Sequence, residues 1–366
     1  MGLLKHRAIL FQALPRTAAT PVFYASIHVY TVGMALPQNP SFNAAPDVLS
    51  SKAWPPGTVW HYTTAAGLAG LVGDHVLWAS ATAFMNDLQE MHTGGSMFRE
   101  LVQTHLKEVD ADIRADFSFL VETALQNDRY RTFIACASKE PDNLTLWRNY
   151  TGSEVGFAVA LDGRKSLLMR RQRPVTEKMI DPLGFLEEED KQLVRDQAAG
   201  VSGQFGWSPA VYFRAEQAKI AWEALRGIEA AALPQTEGTE GTVLENDWLH
   251  AFANVAMAFP TFKNTAFKDE AEMRIVCGAA IHADLMYLKH RTGRYGIIPY
   301  VELGLPEDPL RDLGDGPEPM GELPILGVAV GPTRYQEEAI VGVKELLRSH
   351  GHQTIAVIGS RTPFRS

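Results

Sequence analysis

Reactive polar side chains concentrate in four short segments of the chain, each beside an apolar run of strand length. The segments cover residues 60–64, 84–90, 136–150 and 263–274. Active sites commonly form where polar groups from different strands converge on one pocket. We therefore take these segments as the candidate sources of catalytic and binding residues.

The first segment reads Trp60-His61-Tyr62-Thr63-Thr64 within a β-prone run. Alternate side chains of a strand share a face, so His61 and Thr63 should point to one side, and Trp60 and Tyr62 to the other. One face can then form a site and the other a core. The alternative is a half-buried histidine that donates a hydrogen bond to a backbone carbonyl.

The second and third segments contain turn-forming, thiol and hydroxyl side chains. Asn86-Asp87 fits a ligand contact, but a turn or a helix cap explains the same pair. Cys136 has no neighbouring base that would lower the pKa of its thiol, so we expect a buried and unreactive cysteine. Ser138 shares the face of Cys136 at the end of the strand and is the better candidate for a ligand contact.

The fourth segment contains two carboxylates two residues apart and an arginine. If Glu270, Glu272 and Arg274 lie at the start of a strand, all three side chains project from one face. One carboxylate can then stay ionised beside the arginine while hydrogen bonds hold the other. A solvated, charged edge strand is the alternative interpretation.

The apolar pattern predicts the elements that must hold these segments. The expected strands cover residues 59–63, 76–79, 132–138, 155–161, 274–279, 297–302, 325–330 and 354–358. The expected helices cover residues 65–72, 98–125 (as one or two amphipathic helices), 181–204, 215–232, 248–259 and 335–349.

Strands and helices do not alternate regularly, and no glycine-rich phosphate loop follows a strand, which argues against a doubly wound dinucleotide fold. The pattern predicts an α+β fold, with mixed, largely antiparallel sheets around a cleft and a helical insertion. Residues 1–56 are expected to form a disordered or loosely packed arm, because 38–56 are rich in Pro, Ser, Ala and Asn without apolar periodicity. Residues 57–366 should form a single domain of catalytic type, since nothing within them resembles a linker.

Composition limits the class of protein. Of the 366 residues, 46% are hydrophobic and 21% are charged, which excludes collagen, coiled-coil and wholly disordered chains. The 34 basic and 43 acidic side chains give a net charge of -9, so bulk charge will not hold the chain to nucleic acid or to an anionic membrane, although a local basic cleft stays open. Two cysteines and the lack of a convincing membrane segment indicate a cytoplasmic protein without a membrane partner.

The motifs resemble those of a bacterial family known as domain of unknown function 2971. The similarity covers most of residues 57–365 and rests on Trp60-His61-Tyr62-Thr63, Leu77-Trp78-Ala79-Ser80, Phe84-x-Asn86-Asp87-x-x-Glu90, Cys136-x-Ser138, Leu146-Trp147-x-x-Tyr150, Glu270-x-Glu272-x-Arg274 and Ser360-Arg361-Thr362-Pro363-Phe364-Arg365. Ala137 and Met273 depart from the family pattern, which has Phe-Ser and Trp at those places. The family name implies no activity.

A remoter resemblance is to ADP-ribosyltransferases, in the order of a first-strand histidine, a serine-ended second strand and a later Glu-x-Glu strand. It implies an ADP-ribosyltransferase-like fold, with NAD as a substrate. Mapped by position, the residues that bind NAD would be His61, Tyr62, Thr63, Asn86, Ser138, Tyr150 and Arg274. Glu272 would stabilise the ribosyl cation, and Glu270 would orient or deprotonate the acceptor.

The resulting hypothesis is NAD-dependent ADP-ribosyl transfer to a protein or nucleic-acid acceptor, by a toxin or phage-defence effector. It requires His61 and Glu272 to face one cleft. Because the chain is acidic, its affinity for NAD would come from placed groups such as His61, Lys263 and Arg274.

Two alternatives stay open. One is a non-catalytic ligand-sensing domain of a defence system. The other is a metal-dependent hydrolase of nucleotides or nucleic acid, which would use Glu270, Glu272 and Asp87 around Mg²⁺.

Overall fold

The computed structural model describes residues 49–84, 88–126, 132–151, 155–173, 205–232, 255–278, 284–293, 295–307 and 317–363, together with a few separate positions between 176 and 191. Most of the predicted arm, residues 1–48, lies outside this part of the chain. In its last eight residues, a 3-10 helix covers Ser51–Ala53, and Trp54 is buried against Trp60 with ring centroids 4.9 Å apart.

The strands of the described part are β1 (Thr58–Thr63), β2 (Leu77–Ala81), β3 (Thr132–Ser138), β4 (Phe157–Asp162), β5 (Leu168–Met169), β6 (Ser208–Pro209), β7 (Glu272–Gly278), β8 (Lys289–Gly293), β9 (Gly296–Pro306), β10 (Met320–Gly321), β11 (Ile325–Val330) and β12 (Ala356–Gly359). The α-helices are α1 (Ala65–Asp74), α2 (Leu88–His105), α3 (Arg114–Gln126), α4 (Leu144–Tyr150), α5 (Arg214–Ala232), α6 (Asp284–Tyr287) and α7 (Gln336–Ser349). Short 3-10 helices cover Thr82–Phe84, Phe259–Thr261 and Thr265–Glu270.

The fold is α+β, with one mixed and mostly antiparallel open sheet. Its main path runs β10-β9-β2-β3-β1-β4-β11-β12, and β7 joins it on β3, β8 and β5 on β9, and β6 on β7. Among the strands described, the parallel pair is β11 with β12, at one end of the path. The α+β class and the largely antiparallel pairing predicted from the sequence are therefore confirmed.

Most predicted elements are present, with differences at their ends. β3 and β11 have the predicted bounds, and 98–125 contains parts of two helices, α2 and α3. β8 is missing from the prediction, because its sequence Lys-His-Arg-Thr-Gly carries no apolar alternation. The predicted helix at 181–204 and residues 248–254 of the predicted helix at 248–259 fall almost entirely outside the described residues.

The sheet forks at β3. One edge of β3 pairs with β7 along its whole length, from Thr132 opposite Gly278 to Ser138 opposite Glu272. The other edge pairs with β2 near its start, where Ile134 lies opposite Ser80, and with β1 only at its end, where Ser138 lies opposite Trp60. Between these two contacts, this second edge of β3 has no partner at Cys136 among the strands that the structure describes.

The pairing defines two faces of the sheet. The first face is covered by α1 and α7, and its core includes Val59, Ala137, Ile275, Leu68 and Leu347. The second face carries Trp60, Ser80, Ser138, Glu272 and Tyr300. Part of the second face is covered by an aromatic core in which Trp60 and Tyr62 pack on Trp147 of α4. Helices α2, α3 and α5 form a separate apolar cluster with Phe259 and Phe262.

The first-face core should dominate the stability of the sheet. Ile275 is fully buried, whereas Ile297 of β9 is 61% exposed. We expect Ile275→Ala to lower the free energy of unfolding by about 2–5 kcal/mol, because it leaves a cavity, and Ile297→Ala to change it by less than about 0.5 kcal/mol. Urea denaturation of both variants measures this, and equal losses would contradict the assigned core.

Candidate functional site

Four charged side chains form a buried cluster at the start of β7. The Nζ of Lys263 lies 2.6 Å from Oε2 of Glu270 and 2.6 Å from Oε2 of Glu272. Nη2 of Arg274 donates to the same Glu272 oxygen over 2.8 Å. All four residues are buried, and their two positive and two negative charges cancel, which is what allows ionised groups to be buried.

The helical layer and the 3-10 segments hold Lys263 in place. The Gln217 side chain of α5 donates to the backbone oxygens of Val211, over 2.6 Å, and of Lys263, over 3.0 Å. Nη1 of Arg274 donates to the oxygens of Pro260 and Phe262, over 2.7 and 3.1 Å. The backbone on either side of Lys263 is thus fixed both to α5 and to β7.

Glu270 does not lie on a strand. The Asn264 side chain caps the 3-10 helix Thr265–Glu270 by accepting from the Ala266 N–H, and Ala271 then adopts a left-handed conformation with φ of 44°. That conformation costs a non-glycine residue about 1–2 kcal/mol. Two backbone hydrogen bonds hold it, from Ala271 to the Lys268 oxygen and from Lys139 to the Ala271 oxygen.

The shared strand face is therefore confirmed for Glu272 and Arg274 and is wrong for Glu270, although all three side chains converge on one site. The alternative of a solvated edge strand is also wrong, because β7 lies between β3 and β6 and is mostly buried.

The two carboxylates have different environments. Burial alone would raise the pKa of Glu272, but the charges and hydrogen bonds of Arg274 and Lys263 outweigh it and lower that pKa to about 2. Burial also opposes a charged Lys263, yet Glu272 and Glu270 hold its pKa well above the usual value. Oε1 of Glu270 is buried and has no hydrogen-bond partner among the described residues, so it is an acceptor that remains available.

Ser138 connects β3 to this cluster. Its hydroxyl donates to the backbone oxygen of Glu270 over 2.6 Å and accepts from the N–H of Glu140 over 2.9 Å. The side chain is almost fully buried. Ser138 therefore braces the turn that carries Glu270, and both of these hydrogen bonds are internal to the chain.

His61 lies in the fork of the sheet. Its Nδ1 is 2.8 Å from the backbone oxygen of Cys136, on the edge of β3 that faces away from β7 and has no described strand partner at that residue. A carbonyl can only accept, so Nδ1 carries the proton, and Nε2 of the neutral ring is an acceptor. Burial lowers the pKa of His61, which favours this neutral form, and the bond to the Cys136 oxygen only partly opposes the shift.

The side chains of His61 and Glu272 project from opposite faces of the sheet. His61 alternates with Trp60, which pairs with Ser138 on the second face together with Glu272. The two residues are linked through β3, because Cys136 binds His61 and Ser138 binds the turn at Glu270. The expectation that His61 and Glu272 face one cleft is therefore wrong for the two faces of the sheet. A ligand could contact both residues only by passing through the fork between β1 and β2.

The structure does not bring all predicted binding residues together. Tyr62 faces the aromatic core, where its hydroxyl donates to the Glu140 oxygen over 2.8 Å and accepts from the Asn143 N–H over 3.1 Å. Thr63 lies against Gly67 of α1, with no room for a Cβ between them. Asn86 lies outside the described residues.

Tyr150 and Cys136 are neighbours of the ion cluster. Tyr150 ends α4 and is 37% exposed. Its pKa is raised by burial first and then by Glu270 and Glu272, against the effect of Lys263. Cys136 is partly exposed, so the predicted full burial is wrong. Burial of its thiol and the Glu272 charge nevertheless raise the pKa of that thiol, which fits the predicted lack of reactivity.

Two structural roles were not predicted. From the sequence, Lys263 is expected only to contribute positive charge for NAD binding. In the structure, its ammonium group forms ion pairs with Glu270 and Glu272 instead. A lysine next to Phe262, with two glutamates within the following nine positions, is the signal that could have indicated it. Asp142 accepts from Trp147 Nε1 over 2.8 Å and from the hydroxyls of Ser360 and Thr362, and so connects the chain at residues 360–362 to α4.

Comparison of the chain with protein-family models, with characterised proteins and with solved structures finds no match. The similarity to domain of unknown function 2971 and to ADP-ribosyltransferases therefore stays a prediction from motifs.

Across the described residues, no helix is long and apolar enough to cross a membrane. The same residues contain no group of three or more His, Cys, Asp or Glu side chains arranged to hold a metal ion. Asp87, the third ligand of the proposed Mg²⁺ site, lies outside them.

The ion cluster should make stability depend on pH. Because the pKa of Glu272 falls from 4.5 to about 2 on folding, its ionisation contributes stability above pH 4.5 that is lost as the pH falls towards 2. Glu272→Gln should lower the free energy of unfolding by about 3–5 kcal/mol at neutral pH, since it leaves buried positive charge uncompensated. The gap between variant and unaltered protein should narrow as the pH falls below 4.5.

Urea denaturation at a series of pH values measures this gap. Glu345→Gln is the matched control, because Glu345 forms an exposed ion pair with Arg348 and its loss should leave the midpoint nearly unchanged. A gap that stays constant or widens on acidification would show that Glu272 is not ionised in the folded protein.

Proposed function

We propose that the chain transfers ADP-ribose from NAD to a macromolecular acceptor, at the fork of β3. The observation that carries the proposal is that a three-residue stretch of β3 contacts both halves of the predicted site. Cys136 binds the imidazole of His61, and Ser138 binds the turn that carries Glu270. These two residues are about 7 Å apart along β3. Because His61 and Glu272 lie on opposite faces, a dinucleotide would have to pass through the fork to contact both.

The neutral tautomer of His61 supports binding of a nucleoside. With Nδ1 used by the Cys136 oxygen, Nε2 can accept a hydrogen bond from a ribose hydroxyl or an adenine amino group. A neutral ring in the fork also avoids adding a third buried positive charge to those of Lys263 and Arg274. This fits the role that the resemblance to ADP-ribosyltransferases gives to the first-strand histidine.

The environments of the two carboxylates favour different roles from those implied by position. Glu272 is held by Arg274 and Lys263 and acts as a positioning residue, whereas Glu270 keeps a free Oε1 and is the better candidate to contact the substrate. That oxygen is buried, so side chains around it would have to move to admit the nicotinamide ribose. Tyr150, whose pKa is raised by the charges of Glu270 and Glu272, is the ring that would then contact the nicotinamide.

The proposed reaction breaks the bond between the ribose and nicotinamide. The bonding electrons leave with nicotinamide, and positive charge develops on the ribose. A carboxylate oxygen in a water-poor site gains most interaction at that point. A nucleophile on the acceptor then bonds to the ribose carbon, and its proton passes to Glu270 and on to solvent.

The test measures transfer of labelled ADP-ribose from NAD in a cell extract, with NAD binding measured separately by calorimetry. We expect labelling by the unaltered protein, a loss of about 100-fold or more in Glu270→Gln, and a loss in Tyr150→Ala. Tyr335→Ala, at an exposed tyrosine beside α7, is the matched control and should retain activity.

Urea midpoints show whether each variant is folded. Tyr150 is partly exposed, so Tyr150→Ala should fold even if Glu270→Gln does not. The activity of Tyr150→Ala then still tests the proposal. Equal labelling by all four proteins, or no binding of NAD, would refute the proposal. Binding of NAD without turnover would instead favour the ligand-sensing alternative.

A further inference from the structure

A basic and aromatic patch lies on the second face of the sheet, next to the fork. Trp78 of β2 is 45% exposed and packs on Tyr300 of β9, with ring centroids 4.7 Å apart and planes tilted by 39°. Lys289 of β8 lies opposite Tyr300, and its Nζ is 5.9 Å from the centre of that ring. Arg291 of β8 donates to the Ser80 hydroxyl over 3.0 Å.

Positive charge exceeds negative charge in this patch. The buried Glu302 binds Lys289 over 2.7 Å and Arg170 over 3.1 Å, so one carboxylate serves two cations. Within the described part of the chain, the guanidinium of Arg291 bonds a neutral hydroxyl and no carboxylate. Arg173 is exposed, and its Nη2 donates to a backbone oxygen.

One further carboxylate borders the patch. Glu318 accepts from the backbone N–H of Arg171 over 3.3 Å, whereas the Arg171 side chain is buried and is not counted with the patch. The described charges of the patch are then Arg170, Arg173, Lys289 and Arg291 against Glu302 and Glu318. The patch is thus positive on a chain whose overall charge is -9.

We propose that this patch binds the acceptor of the reaction and that the acceptor is a single-stranded nucleic acid. An exposed tryptophan supported by a second ring offers a flat platform on which an unpaired base can stack. Lysine and arginine beside it suit the phosphates of a strand that runs across β2, β9 and β8. An acidic chain gains no such affinity from bulk charge, so binding depends on these placed groups.

The position of the patch fits this role, which rests on the function proposed above. Ser80 pairs with Tyr300 on one side and with Ile134 of β3 on the other, so the patch and the fork share one face. β9 and β3 are two strands apart, about 10 Å. A strand stacked on Trp78 can therefore present a neighbouring nucleotide to the site over β3.

The test measures binding of a fluorescently labelled oligothymidine by anisotropy, without NAD, over a range of salt concentrations. Trp78→Ala should weaken binding about tenfold or more. Lys289→Gln should weaken it less and reduce the slope of log K against log salt by about 0.7, the value for one phosphate contact of a single strand. In Lys289→Gln, Glu302 keeps Arg170 and Gln172 as partners, so the fold should survive.

Matched controls lie far from the patch. Tyr335→Ala removes another exposed aromatic side chain, and Lys219→Gln removes a lysine that is 78% exposed on α5. Both should bind the oligonucleotide as the unaltered protein does. Equal binding by Trp78→Ala and the controls, or tighter binding of a duplex than of the single strand, would overturn the proposal.

An acidic peptide of the same net charge separates the two classes of acceptor. Preference for the peptide, with the same loss in Trp78→Ala, would assign the patch to a protein acceptor and overturn the nucleic-acid proposal. Oligonucleotide binding without any NAD turnover would support a nucleic-acid site at the patch and refute the proposed reaction. NAD turnover without oligonucleotide binding would support the reaction and refute the nucleic-acid site.

Discussion

The buried ammonium group of Lys263 is the interaction on which the candidate site depends. A lysine can remain charged in a protein interior only if carboxylates compensate it, and here Glu270 and Glu272 do so together. These two residues come from different elements, a 3-10 helix and β7. The left-handed turn at Ala271, the brace from Ser138 and the anchor from Gln217 are each needed to bring the carboxylates to one nitrogen atom.

The fork at β3 has a comparable importance for the sheet. β3 pairs with β7 throughout, but its other edge is shared between β2 and β1. The second face is therefore divided between an aromatic core under α4 and the open patch around Trp78. The ion cluster lies across β3 from the fork. The polar groups of the second face are thus concentrated around a single strand.

Local pattern was sufficient to predict much of this fold. The apolar run 132–138 gave β3 its bounds, and the alternation in β1 correctly separated Trp60 and Tyr62, which are buried, from His61 and Thr63. Glu270 was misplaced because a left-handed alanine has no glycine signal, and β8 was missed because its residues are polar. The relation of His61 to Glu272 depends on the register of Trp60 with Ser138, residues 78 positions apart, which no local pattern contains.

His61 does for the edge of β3 what a capping side chain does for the end of a helix. It satisfies a carbonyl that the departing strand leaves without a partner. A protonated imidazole donates from both nitrogens, so acidification leaves this cap intact while it removes the acceptor at Nε2. The structural hydrogen bond of the ring is therefore made by Nδ1, and ligand recognition would use Nε2. A drop in pH would prevent Nε2 from accepting a hydrogen bond from a ligand without disrupting the sheet.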